Sequence, residues 1–256
     1  MLRISIISVV LAAGLLAPRT IDASAAREAR ATSSAAFSNA GAEEFAIGDF
    51  SESRIGSIDT DVLELALGAA SCAVKSGAVE RPRTLTVIDY SKPSSHKRLW
   101  VYDLSTHELL YEELVAHGQG SGANVATEFS NTPDSHQTSL GLFVTEETYV
   151  GRNGYSLRLD GLDKGMNDRA RERAIVMHGA PYVSPAFVKS NGRLGRSHGC
   201  PAVSDVVARE LIDRVKGGGL VFAYYPDAEW LKTSKYLGGC ALRQAQGAPS
   251  SSTDGA

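Results

Sequence analysis

Between residues 84 and 225 the chain repeats one pattern, short runs of β-branched and aromatic residues bounded by polar and turn-forming residues. Such runs are typical of strands in a sheet with a buried face, because successive side chains point to opposite sides of a strand. The polar stretch at 105–107 predicts a hairpin. A chain of this kind is expected to be mainly β, with a few short helices. The predicted strands are 84–90, 98–104, 108–115, 140–145, 155–159, 174–178 and 220–225.

Two longer segments carry helical periodicity. Hydrophobic residues recur at near-helical spacing between Asp59 and Lys75, and Gly77 is suited to end that helix. Ser204 is expected to cap a second helix, because its hydroxyl can accept from the first free N–H groups. The glycines at 217–219 are expected to end it.

The N-terminal residues have the organisation of a secretory signal peptide. Arg3 precedes an apolar run from residue 4 to residue 17, which is too short to span a bilayer comfortably. Pro18 interrupts the run, and Ala23-Ser24-Ala25 matches a cleavage site of the A-x-A type. We predict a signal peptide over residues 1–25, export to the periplasm or cell envelope, and no transmembrane segment after cleavage. An uncleaved anchor or a buried helix is the alternative.

The remainder of the chain divides by composition. Residues 26–57 are rich in Ala, Ser, Gly and Glu and are expected to form a flexible lead-in. Residues 58–230 form the predicted folded domain, and residues 231–256 form a tail expected to be disordered at its end. With 256 residues, 43% of them hydrophobic, the chain can bury a core without disulfides or a structural metal. Its net charge of −3 argues against a nucleic-acid partner.

Two short motifs carry most of the chemical information. His178-Gly179 ends one predicted strand, and Ser197-His198-Gly199-Cys200 lies just before Ser204. A cysteine attacks as its thiolate and needs a neighbouring base, most often a histidine. Backbone N–H groups at Gly199 and Cys200 are suited to hold a developing oxyanion. We therefore predict Cys200 as a nucleophile and His178 as its base.

These motifs resemble the signature of the L,D-transpeptidases of bacterial cell walls, the YkuD-like catalytic domain. In that family a His-Gly is followed, after a gap, by Ser/Thr-His-Gly-Cys, which is matched here at 178–179 and 197–200. The resemblance covers about residues 60 to 226 and implies an L,D-transpeptidase-like β-sandwich or barrel. Further stretches similar to this family lie at 129–133 and 139–143. Three others most resemble a divergent branch, the murein L,D-transpeptidase catalytic domain family, and lie at 100–104, 116–122 and 195–201.

The resemblance also implies a role for each motif residue. Cys200 would attack the bond between diaminopimelate and D-alanine in a tetrapeptide stem, and His178 would hold the thiolate and shuttle the proton. The Gly179 carbonyl would orient His178, and the N–H groups of residues 198–200 would form the oxyanion hole, with Ser197 in support. Peptidoglycan stem peptides are the implied partner, and transfer to an amine would cross-link two stems. Neither a metal nor an organic cofactor is implied.

The sequence departs from the family pattern after the nucleophile. Where the common pattern has an aliphatic residue and then Arg, this chain has Pro201 and Ala202. Arg196 is expected to supply the missing cation, and Arg196 and Tyr182 are expected to contact the substrate. The gap between the two motifs is also longer than in the best-known members, so the lid over the site is expected to differ.

Two other functions remain open. The same residues would suit an L,D-carboxypeptidase or an endopeptidase that cuts cross-links, because the choice of acceptor depends on the shape of a second channel. A wall-binding module would instead leave Cys200 idle and would bind sacculi equally well without the thiol.

The remaining cysteines and histidines leave two questions. A zinc site built on Cys200 and the motif histidines would need another histidine, such as His117 or His136, and the spacing fits no standard finger. Cys72 and Cys240 would pair in an oxidising compartment only if the fold brought their Cα atoms within bridging distance, which the sequence does not determine.

Overall fold

The computed structural model describes residues 45–237 and residue 240. The predicted signal peptide and the first part of the lead-in, up to residue 44, lie outside the described residues. Within the described part, no helix is long and apolar enough to cross a membrane.

Within residues 45–237, the structure has eight strands and four α-helices. The strands are β1 (Thr84–Asp89), β2 (Leu99–Asp103), β3 (Glu108–Glu113), β4 (Gly141–Gly151), β5 (Gly154–Gly161), β6 (Val176–Ala180), β7 (Ala202–Ser204) and β8 (Leu220–Tyr224). The helices are α1 (Thr60–Lys75), α2 (Pro185–Asn191), α3 (Asp205–Val215) and α4 (Ala228–Thr233). All seven predicted strands and both predicted helices are confirmed, while β7, α2 and α4 were not predicted.

The strands form one sheet in the order β3-β2-β1-β8-β4-β5-β6-β7. The β1–β8 and β6–β7 pairs are parallel, and the other neighbours are antiparallel. Just past β3, Ala116 forms a bridge with Ala202 of β7, and its N–H donates to the Ala202 carbonyl at 2.8 Å. The two ends of the sheet therefore meet, and the mainly β, barrel-like fold is confirmed.

The helices pack where their apolar faces meet the sheet. Asp59 caps α1, because its carboxylate accepts from the Asp61 N–H at 3.0 Å, and α1 packs against β1 and β8. Ser204 caps α3 as predicted, its hydroxyl accepting from the Val206 N–H. Helix α3 packs mainly against β6 and also contacts β7, so its first turn lies beside these two strands.

Residues at both borders of the domain are packed against it. Phe50, in the segment assigned to the lead-in, is buried against Tyr102 with ring centroids 5.6 Å apart. Trp230 of α4 is buried against Phe222, and Cys72 of α1 forms a disulfide with Cys240 across a Cα–Cα distance of 5.9 Å. This disulfide answers the pairing question and ties the start of the tail to α1.

Candidate active site

The sheet brings the two motifs together. His178 lies on β6, and its Cα pairs with that of Ala202 on the parallel strand β7. Cys200 lies two residues before Ala202, at the entrance to that strand. Parallel neighbours lie about 4.8 Å apart, so the strand pairing alone places the imidazole and the thiol in the same region.

The imidazole of His178 has a fixed orientation. Its Nδ1 lies 2.7 Å from the carbonyl oxygen of Gly179, and because a carbonyl can only accept, Nδ1 carries the hydrogen and Nε2 has a free lone pair. The side chain is only 4% exposed, and burial lowers the pKa of His178, partly opposed by the Gly179 carbonyl and by the charge of Asp205. The ring is therefore neutral at neutral pH and able to accept a proton at Nε2.

Gly179 is required because the first turn of α3 lies against its backbone. A Cβ at this position would lie 2.6 Å from Oδ1 of Asp205 and 3.0 Å from Cβ of Ala208. This close approach puts the Asp205 carboxylate near His178, where it favours the protonated imidazole. Asp205 was not predicted as a site residue from the sequence, although its place directly after the Ser204 cap predicts that it starts a helix.

Cys200 is the one free cysteine of the chain. Its side chain is 7% exposed, and Sγ lies 3.7 Å from the carbonyl oxygen of Ala174. Burial raises the pKa of the thiol, while the Val176 N–H and the positive charge of Arg173 act in the opposite direction. Among the described residues no hydrogen bond joins Cys200 to His178.

The turn from Ser197 to Cys200 is held by the Ser197 side chain. Its hydroxyl accepts from the Gly199 N–H at 3.1 Å and donates to the Cys200 carbonyl at 2.6 Å. Gly199 has φ +117°, and a Cβ there would lie 2.8 Å from the Gln137 carbonyl oxygen, so this position needs glycine. The Gly199 N–H is thus already engaged. Within residues 45–237, the N–H groups of His198 and Cys200 donate to no other residue and remain for an oxyanion.

His198 lies at the exposed rim of the site. Its ring stacks on that of His136 with a centroid distance of 4.1 Å and an interplanar angle of 11°. Nδ1 of His136 in turn lies 2.9 Å from the side-chain amide of Gln119. The side chain of His198 thus stacks on the neighbouring loop at the surface.

The two residues expected to bind substrate have different surroundings. The guanidinium of Arg196 donates to the Gly122 carbonyl at 2.8 Å, so it braces the loop before the site. The ring of Tyr182 packs on Gly195, and burial, together with the charges of Cys200 and Asp205, raises its pKa to about 12. Tyr182 is therefore within electrostatic range of Cys200 and keeps its proton at neutral pH.

A fully buried pair beneath the site was missed by the sequence analysis. Arg98 donates through Nη2 to Nδ1 of His117 at 2.7 Å, and burial together with this cation lowers the pKa of His117 to about 4. The backbone carbonyl of His117 accepts from the Ser197 N–H at 3.0 Å. The neutral His117 thus anchors the motif turn through its backbone carbonyl. The described residues contain no group of three or more side chains suited to hold a metal ion.

Arg173 is the cation next to the thiol, and it too was missed. Its side chain lies in the turn before β6, and its charge favours the ionised form of Cys200. The position of a Cβ on Gly199 would be 3.5 Å from Nη2 of Arg173. The charge of Arg173 therefore acts on the thiol, whereas the guanidinium of Arg196 binds the Gly122 carbonyl.

A narrow apolar crevice runs from this turn into the barrel. Tyr90, Ile175 and Phe143 line it together with Gly199 and Pro201. Burial raises the pKa of Tyr90, so its phenol is neutral at neutral pH. The crevice thus reaches the two chain neighbours of Cys200.

Comparison with known families matches residues 54–224 to the family described as YkuD_2, L,D-transpeptidase catalytic domain. No curated protein matches the chain. Among solved structures it is similar to an L,D-transpeptidase from Mycobacterium smegmatis, with 18% identity over 56% of this chain and 59% of that chain and a TM-score of 0.35. L,D-transpeptidase 1 of Mycobacterium tuberculosis is 16% identical over 56% of this chain and 62% of that chain, with a TM-score of 0.32. The helical cell shape determining protein Pgp2 of Campylobacter jejuni is 12% identical over 69% of this chain and 60% of that chain, with a TM-score of 0.42. The chain thus spans less than two thirds of each of these structures.

Proposed function

Because the chain belongs to the L,D-transpeptidase catalytic domain family, we propose that it is an L,D-transpeptidase with Cys200 as its nucleophile. Members of this family act on peptidoglycan. The proposed donor is a tetrapeptide stem, cut between diaminopimelate and D-alanine. The proposed acceptor is an amine of a second stem, so that the product is a cross-link.

One observation carries the proposal, the orientation of His178 beside the strand that follows Cys200. The bond from Nδ1 to the Gly179 carbonyl leaves Nε2 as the proton acceptor. The low pKa keeps the imidazole neutral, which is the form a general base needs. A neutral imidazole and a free thiol in the same region of the fold are the minimum for thiol acyl transfer.

In the first half-reaction, Nε2 of His178 takes the proton of Cys200, and Sγ attacks the amide carbon. The N–H groups of His198 and Cys200 hold the oxyanion of the tetrahedral intermediate. The C–N bond then breaks, the imidazolium gives its proton to the departing amine of D-alanine, and a thioester remains on Cys200. In the second half-reaction the acceptor amine attacks the thioester and gives a proton to His178. The C–S bond breaks, and the thiol takes back its proton.

The resting thiol has to turn before it can react. Sγ lies against the Ala174 carbonyl and makes no hydrogen bond with His178 among the described residues. Catalytic hydrogen bonds are often absent in free enzymes and form when substrate binds. We infer that rotation of the Cys200 side chain toward His178 accompanies entry of the stem peptide.

We place the reaction outside the cytoplasm. The disulfide between Cys72 and Cys240 supports this location, because disulfides persist in oxidising compartments. The predicted signal peptide over residues 1–25 agrees with it. Peptidoglycan is also found there.

The test is mass spectrometry of purified tetrapeptide muropeptides after incubation with the wild-type protein or with Cys200→Ala. Cross-linked dimers that lack one D-alanine, formed only by the wild type, are the expected result. Cys200→Ser is the matched control, because it keeps the shape of the side chain while its hydroxyl is a far weaker nucleophile.

Two other outcomes would replace the proposal. Tripeptide monomers alone would identify a carboxypeptidase, and cleavage of dimers without cross-linking would identify an endopeptidase. Intact substrate with both proteins, combined with equal binding of both to sacculi, would identify a wall-binding module with an idle cysteine.

A further inference from the structure

We propose that Arg173 is a positioning residue whose fixed positive charge stabilises the thiolate of Cys200. The proposal rests on the proposed role of Cys200 as a nucleophile. It goes further by assigning the stabilising charge to a residue outside both sequence motifs, five positions before His178.

The guanidinium of Arg173 is held rigidly by neutral oxygen atoms. Nη1 donates to the Ser130 carbonyl at 2.6 Å and to the Ser139 hydroxyl at 2.5 Å. Nη2 donates to the Gln137 carbonyl at 2.6 Å and to the Ser135 hydroxyl at 3.2 Å. With four acceptors around it, the charged group has one position and cannot turn away from the site.

None of these acceptors carries a negative charge. Among the described residues Arg173 makes no salt bridge, and its neighbour Arg169 bears the same sign of charge. Its Nε atom is buried and has no hydrogen-bond partner in the described part of the chain. A partly buried cation without an anion is costly, and such arrangements cluster at functional sites.

Cys200 is the group that can supply the missing negative charge. Its Sγ lies 3.7 Å from the carbonyl of Ala174, the residue directly after Arg173 in the chain. The position that a Cβ would take on Gly199, the residue directly before Cys200, lies 3.5 Å from Nη2 of Arg173. The Cys200 thiol thus lies beside the residue that follows Arg173, and the Arg173 guanidinium lies near the residue that precedes Cys200.

Three titratable groups near the thiol carry no charge at neutral pH. Burial raises the pKa of both Tyr90 and Tyr182, so that these phenols keep their protons. Burial lowers the pKa of His178, so that this ring is neutral. Arg173 is therefore the fixed charge that sets the balance between thiol and thiolate, against the cost of burying the sulfur.

The experiment measures the rate at which iodoacetamide alkylates Cys200 as a function of pH. The full oxidised chain is used, because the disulfide leaves Cys200 as the single free thiol of the three cysteines. Removal of a cation close to a thiolate raises the thiol pKa by about one unit or more, which lowers the thiolate fraction at pH 7 by about tenfold.

Arg173→Gln is expected to move the midpoint of this curve to higher pH. Arg173→Lys keeps the charge, so its midpoint is expected to shift much less. Arg169→Gln on the same turn is the surface control, because that arginine pairs with Glu172, and it should leave the midpoint unchanged. An unmoved midpoint in folded Arg173→Gln, or an equal shift in Arg173→Lys, overturns the proposal.

A second pair of variants leaves Arg173 in place, in case its replacement prevents folding. Ser135→Asp puts a carboxylate against Nη2 and neutralises the cation, whereas Ser135→Asn has the same shape and no charge. The proposal expects an upward shift in Ser135→Asp alone, and equal midpoints for both variants refute it. Because alkylation needs no peptidoglycan substrate, a failure of the proposed function would not affect this result.

Discussion

Removal of the Ser197 hydroxyl should weaken the domain through two buried hydrogen bonds at once. This oxygen accepts from the Gly199 N–H and donates to the Cys200 carbonyl, and both bonds are buried. In Ser197→Ala the N–H and the carbonyl lose their partner, at a cost of about 1 to 3 kcal/mol for each group. The expected loss is about 2 to 6 kcal/mol of the free energy of unfolding, a large share for a domain of ordinary stability.

Urea unfolding followed by circular dichroism measures this loss, and Ser197→Thr is the matched control. Threonine keeps the hydroxyl and is the other residue of the family motif, so it should lose far less than alanine. In Ser197→Ala the freed Gly199 also lets the turn before Cys200 relax, so thioester formation should slow even where the protein is folded. A loss below about 0.5 kcal/mol, with an unchanged rate, would refute the role given to this hydroxyl.

Three further predictions follow from contacts around the site. Gly179→Ala should displace the first turn of α3 and the His178 ring, because the new Cβ would lie 2.6 Å from Oδ1 of Asp205. Turnover of muropeptides should therefore fall by at least about tenfold. Turnover equal to that of the wild type would contradict the packing argument. Cys240→Ser removes the disulfide that closes a loop of 168 residues. The free energy of unfolding, measured in urea, should fall by about 2 to 5 kcal/mol. Unchanged stability would mean that the disulfide does not stabilise the fold. His117 has a pKa of about 4 in the folded protein, below its ordinary value, so the unfolded chain binds the extra proton between these two values. Stability should therefore fall by up to roughly 3 kcal/mol as pH drops from 6.5 to 4, and His117→Asn should remove this part of the pH dependence.

The regular elements were largely predictable, because each long enough segment carries its own periodicity. Strand β7, with three residues, is too short to show a pattern. Helix α2 is also short, yet the Ser184 cap, Pro185 in its first turn and Gly192 in the left-handed region after it are readable signals that were overlooked. The family expected from the two motifs is confirmed by the match over residues 54–224.

The site was predictable only where residues lie close in the chain. Gly179 and His178 are neighbours, and the bond between them follows from the motif. Arg173 and Asp205 were missed because their nearness to the motif residues arises from strand order and helix packing. Arg173 in particular lies in a polar turn rich in arginine and glutamate, whose sequence has the composition of a solvated surface.

The disulfide also has a consequence for the order of folding. When the reduced chain refolds, Cys72 can meet Cys200 before Cys240, because Cys200 lies forty residues closer to it in the chain. An early Cys72–Cys200 pair would block the thiol proposed as nucleophile and leave the C-terminal segment untethered from α1. Thiol–disulfide exchange that replaces Cys200 with Cys240 resolves this error, so recovery of active protein should depend on a redox shuffling system during refolding.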